Sequence, residues 1–101
     1  MADLKLAIEE TTFLGVIGYI LNQEHNPGHY QIWTHTGKKF EGSLEVLNVE
    51  GTNHLFMGEF NEGIGYTGIL PVNENVFKWF SHLQYLGPLR DGRYEISEDL
   101  F

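Results

Sequence analysis

The chain has 101 residues, 14 Asp and Glu against 6 Lys and Arg, a net charge of −8 and no cysteine. That length suits one domain over residues 1–101 that buries roughly two-thirds of its unfolded surface, and 42% hydrophobic with 14% aromatic residues can fill its core. Disulfides, thiolate chemistry and zinc ribbons are excluded, and the acidic balance repels nucleic acid and anionic membranes.

In chain order, residues 3 to 10 alternate Leu4, Leu6 and Ile8 against Asp3, Lys5 and Glu9, a weak strand signal. Phe13 to Leu21 is apolar on both pleat faces and reads as a buried central strand. It is too short to span a bilayer, and Asp3, Glu9 and Glu10 stand upstream where a signal peptide carries positive charge. A cytoplasmic location follows, with no membrane partner. Asn22 to Gly28 (NQEHNPG) has the composition of a turn.

Strands are then predicted at His29–His35, Lys39–Val49, His54–Phe60 and Ile64–Val72, with turns at Thr36-Gly37 and Glu50-Gly51-Thr52. Connections this short make an antiparallel meander. Interior glycines such as Gly42, Gly58 and Gly68 permit strong coiling. From Glu74 to Leu86 the period becomes 3.6, with Val76, Trp79, Phe80, Leu83 and Leu86 on one face, an Asn73 N-cap and a Gly87-Pro88 stop. Tyr94 to Ser97 adds an edge strand. The fold class is mainly β (α+β): a curved antiparallel meander or small, partly open barrel of five to seven strands, with one C-terminal amphipathic helix packed on it. At the level of element order this resembles small lipocalin-like or pleckstrin-type barrels, without a shared residue motif and without a function attached.

Gly63-Ile64-Gly65-Tyr66-Thr67-Gly68 spells a dinucleotide-binding string. The mechanism needs a helix directly after the glycines, and Ile69 to Val72 continues as strand, so the glycines serve bending instead. His25, His29, His35, His54 and His82 lack the H-x-H or helical i, i+4 spacing of a metal site. No nucleophile elbow occurs, and neither a cofactor nor a catalytic residue is expected. Glu41 and Glu45 share a strand face and keep a third reading open, a small metal-dependent or carboxylate-based enzyme.

Two functional readings depend on hairpin register, because a one-residue slip turns every side chain to the other face. With Thr36-Gly37 as a two-residue loop, Trp33 opposes Phe40, and His29, Gln31, Trp33 and His35 line an interior suited to a small apolar or aromatic ligand. With Thr36 to Lys38 as the loop, Ile32 opposes Gly42, Tyr30 and Ile32 turn inward, and His29, Trp33, Glu41 and Glu45 share an outer face. The second is favoured because it spares the burial of two histidines and a glutamine. A Glu50 to Thr52 loop then sets Glu45 opposite Met57 and Leu47 opposite Leu55, giving an outer patch of Trp33, Glu41, Glu45, Leu55, Met57 and Glu59.

Between Phe40 and Phe77 there is no Lys or Arg, while Glu41, Glu45, Glu50, Glu59, Glu62 and Glu74 all fall there. Apolar anchors rimmed by acids characterise a partner-binding surface. The leading expectation is therefore a non-enzymatic protein that binds a basic protein or a nucleic-acid-binding enzyme, one form of which is an inhibitor mimicking nucleic acid charge. Small acidic anti-defence proteins of phages share its size and charge. Exposed Leu55 and Met57, with an edge at Tyr94–Ser97, further suggest a homodimer.

Overall fold

The computed structural model describes residues 5–96. Its centre is a six-stranded antiparallel sheet in the order β1-β6-β2-β3-β4-β5. The strands are β1 (Leu6–Ala7), β2 (Gly28–Thr34), β3 (Lys39–Val49), β4 (Thr52–Asn61), β5 (Gly65–Val72) and β6 (Phe80–Pro88). The sheet is open, with β1 and β5 at its edges, and does not close into a barrel. The meander from β2 to β5 is as the sequence suggests. The weak alternation at the start shortens to β1 followed by a 3-10 turn, Ile8–Glu10, and Leu4 lies outside the described residues.

Two element assignments change, one strand and one helix. Phe13–Leu21 is the helix α1, not a strand. Thr12 caps it, its Oγ1 accepting from the Gly15 N–H at 3.0 Å, and the buried face is Val16, Ile17 and Ile20 with Phe13 packed beside it. Those positions recur at i, i+3, i+4 and i+7, a helical period that an apolar run filling every position conceals. Conversely, the C-terminal helix is reduced to one turn, α2 (Glu74–Phe77). Its Asn73 cap is present, with the Val76 N–H donating to Asn73 Oδ1 at 2.9 Å. From Phe80 the chain is strand. Leu83 and Tyr85 pair with Ile32 and Tyr30 of β2 and are buried, while His82 and Gln84 point to the other face. The strand-forming tendency of Phe80 and Tyr85, added to a row of β2 hydrogen-bonding groups needing a partner, overrides the helical pattern.

Each face of the sheet carries an apolar cluster. On one, α1 packs over Tyr30, Ile32, Leu44, Val46, Leu55, Leu83 and Tyr85. On the other, Phe56, Tyr66 and Ile69 gather Leu47, Phe60, Leu89, Tyr94 and Ile96. The segment after β6 forms this second cover: Tyr66 N–H donates to the Arg93 carbonyl at 2.8 Å and Arg93 N–H to that of Ile64 at 3.3 Å. Gly65 permits the approach, since a Cβ there would stand 2.2 Å from Arg93 N. Residues 94–96 are not strand, and Ser97 lies outside the described residues.

The registers settle which face each residue takes. The β2–β3 loop is His35–Gly37, closed by the Thr34 N–H donating to Lys38 O at 2.9 Å, and Ile32 opposes Phe40. This matches neither expected pairing, but its parity is that of the second, so Tyr30 and Ile32 point inward and are fully buried. At the next hairpin Glu50 (φ 52°) and Gly51 (φ 86°) form a two-residue turn of the left-handed kind that fits strand twist. Leu55 therefore opposes Val46, and Phe56 opposes Glu45. This one-residue change from the expected register reverses β4: Leu55 is buried in the α1-side core, and Phe56 is buried on the other face.

Candidate functional site

The site builds up from His29, which β2 presents to the face covered by the C-terminal segment. It is 1% exposed, so both ring nitrogens must find partners to offset the loss of water. Nδ1 lies 2.8 Å from Tyr66 Oη and Nε2 2.6 Å from Glu41 Oε1. The Arg90 backbone N–H donates to Tyr66 Oη at 2.7 Å. Tyr66 is left to donate its own proton to Nδ1, and Nε2–H donates to Glu41; the Nε2–H tautomer satisfies this order. Phe60 stands edge-on to the imidazole with ring centroids 5.1 Å apart.

Glu41 is the end of this chain that reaches solvent, its side chain 37% exposed and 3.4 Å from Arg90 Nη2. The hydrogen bond from His29, reinforced by Arg90, holds its carboxyl below the usual carboxylate range against a smaller opposing effect of burial. Burial, partly countered by the Arg90 N–H, raises the Tyr66 hydroxyl. Glu41 thus offers a fixed, ionised carboxylate at a shallow hollow of about 370 Å³, whose other lining residues are Phe40, Phe60, Glu62 and Arg90.

Ser43 is the cross-strand neighbour of His29, which brings serine, histidine and glutamate onto one face. They do not form a nucleophilic triad: Tyr66 and Glu41 engage both imidazole nitrogens, so neither is free to take a proton from the buried Ser43 Oγ. Tyr66 donates to the imidazole as a nucleophile would, yet it is 4% exposed and its hydroxyl is raised by burial rather than activated.

The expected partner patch is dispersed. Trp33 is half-buried, with Lys5 Nζ 4.5 Å from its ring centroid. Glu45 is 8% exposed and accepts from Tyr94 Oη at 2.6 Å, which raises the Tyr94 phenol together with burial, the larger effect. Leu55 lies in the core, Met57 packs against it, and the register places exposed Glu59 on the Met57 side of the sheet, opposite Glu41. The alternative ligand set does not converge either. His29 is committed as above, Gln31 donates to the Phe40 carbonyl at 2.9 Å, and His35 sits exposed in the β2–β3 loop. In an open sheet these residues enclose no lumen. Leu55 is buried and Met57 partly so, which takes away the exposed pair on which a dimer was expected.

Tyr66 and Arg90 complete the site but escaped the sequence reading. Their partners lie 37 and 24 residues away in sequence, and no local pattern announces such pairing. Among the described residues no three histidine, cysteine or carboxylate side chains gather as metal ligands would, and no helix is long and apolar enough to cross a membrane. Comparison with protein-family models, curated proteins and solved structures finds no match.

Proposed function

We propose that this chain is a non-enzymatic protein that binds a basic partner, using the acidic end of its sheet. The observation carrying this reading is the way charge maps onto the strand order. The stretch free of Lys and Arg, Phe40 to Phe77, supplies nearly all of β3 and the whole of β4 and β5, which are consecutive in the sheet. Glu41, Glu50, Glu59 and Glu62 therefore fall in one half of the sheet, which Arg90 and Arg93 of the C-terminal segment also reach, the first at Glu41 and the second at the β5 backbone, while Glu74 lies apart in α2. Glu50, Glu59 and Glu62 are exposed there, with Glu41 partly so.

Two further features support it. Ile64 and Leu70, 63% and 58% exposed, lie along the same β5 edge, so apolar anchors accompany the acids as in protein interfaces. Glu41 is held in place by His29 before any partner arrives, so less side-chain entropy is lost on binding. Glu41 and Glu62 serve a partner on one face and Glu59 a partner on the other.

The test is affinity capture from the source organism's extract with the wild-type chain and with a Glu41→Gln/Glu59→Gln/Glu62→Gln chain as baits. Proteins of high isoelectric point retained by the first and lost by the second are expected. Identical retained sets would overturn the proposal.

A further inference from the structure

A second site lies on the α1 side of the sheet, away from the His29 network. The 3-10 turn, the start of α1, the β2–β3 loop and α2 surround a cleft of about 470 Å³. That volume suits a molecule of amino-acid size or somewhat larger. Its apolar surface comes from Ile8, Phe13, Val16 and Phe77. Phe13 and Phe77 meet edge to face at 5.6 Å between centroids, and Val16 and Phe77 are buried. Nothing in that part of the lining offers a hydrogen bond from a side chain.

The polar part of the lining is charged in both senses. Glu74 and Lys78 both face the cleft from α2 and its C-cap. They stand at i and i+4, the spacing at which a glutamate and a lysine usually pair, yet neither lies within 4 Å of an opposite charge among the described residues. His35 and Glu9, also in the lining, are 4.0 Å apart and exposed. Thr12 Oγ1 accepts from the Gly15 N–H and keeps its own proton to donate, so the charges of α2 supply the ionic contacts that orient a guest beside the polar groups of Thr11 and Thr12.

We infer that this cleft binds a small zwitterion with an apolar side chain, an α-amino acid of the phenylalanine or leucine kind. Its ammonium is met by Glu74, its carboxylate by Lys78, and its side chain packs on the partly exposed Ile8 and Phe13, which Val16 and Phe77 back from within the core. A monocation leaves Lys78 unanswered and a monoanion leaves Glu74 unanswered, so a ligand carrying both charges makes the fuller set of contacts. The site is separate from the acidic end of the sheet and does not rest on the basic-partner reading.

The experiment is an NMR titration of the ¹⁵N-labelled full chain with L-phenylalanine, L-leucine, glycine, 3-phenylpropionate and 2-phenylethylamine. L-Phenylalanine or L-leucine should cause saturable shifts at Thr11, Val16, Phe77 and Lys78, with the two singly charged analogues and glycine binding at least about tenfold more weakly. Glu74→Gln and Lys78→Met should each weaken binding by about tenfold, while Glu41→Gln leaves it unchanged. Both α2 positions are exposed, and an undisturbed spectrum for each variant establishes that it is folded. Absence of saturable shifts with both amino acids overturns the inference. So does equal affinity for either singly charged analogue or for glycine, or shifts confined to the surroundings of Glu41.

Discussion

His29 Nε2 and Glu41 Oε1 lie 2.6 Å apart, a diagonal pair across β2 and β3 that ties a buried ring to a partly exposed carboxylate. Because the folded-state value of Glu41 is lowered, its contribution to stability is complete above the ordinary carboxylate range and is lost as pH falls through the lowered value. Glu41→Gln keeps an acceptor for His29 but removes that titration. The variant should be less stable than wild type at neutral pH, and the gap should close progressively in acid. Denaturant midpoints measured from pH 7 downward check this; a gap that widens in acid would contradict the assignment.

Tyr30 is fully buried, and its hydroxyl has no hydrogen-bond partner among the described residues. Burial also raises its ionisation well above the ordinary phenol value. The neutral phenol is the form that the fold accepts, so its contribution to stability is present below about pH 10 and is lost as pH climbs through the raised folded value. Tyr30→Phe should stabilise the chain by about 1 kcal/mol at neutral pH by removing an unsatisfied polar group, and should soften the alkaline loss. Thermal unfolding at pH 7 and pH 11 reports both effects.

Gly18 lies within α1, and a Cβ there would meet nothing within 4 Å. Gly18→Ala should therefore stabilise by about 0.5–1 kcal/mol through helix propensity alone. Equilibrium denaturation supplies the number.

The meander was legible because each strand from β2 to β5 is bounded by turn residues and alternates, or nearly alternates, in polarity. The α1 segment was not, since Leu14 and Leu21 add exposed apolar positions, 77% and 47%, around the buried stripe and erase the contrast that marks a helical face. Phe80 to Leu86 misled in the opposite way: its apolar residues fit a helix until β2 supplies a neighbour. Register was the weakest link. Choosing a three-residue loop where Glu50 and Gly51 make two was enough to turn Leu55 and Met57 toward solvent on paper. The supposed cost of burying His29 was also misjudged, because Tyr66 and Glu41 compensate both of its nitrogens. Glu45 looked like an exposed acid for the same reason, and its partner Tyr94 is 49 residues away.

Arg90 competes internally for Glu41, with its guanidinium 3.4 Å from the carboxylate while its backbone N–H serves Tyr66. Truncating the side chain frees the first contact and spares the second. Arg90→Ala should strengthen capture of a basic partner by a few-fold and leave the thermal midpoint nearly unchanged, since an exposed ion pair contributes little to folding. Competition binding between the two chains measures the shift, and weaker capture by the variant would mean that Arg90 contacts the partner itself.

The central claim is that the acidic end of the sheet recruits its partner by charge. The most direct measurement is the association rate with the captured basic protein as ionic strength rises through the range where the Debye length is about 8 Å. For wild type the rate should fall steeply, by about tenfold or more. The Glu41→Gln/Glu59→Gln/Glu62→Gln chain should associate slowly from the outset and respond less to salt, with dissociation little altered. Association that ignores both salt and the loss of these three carboxylates would contradict the account.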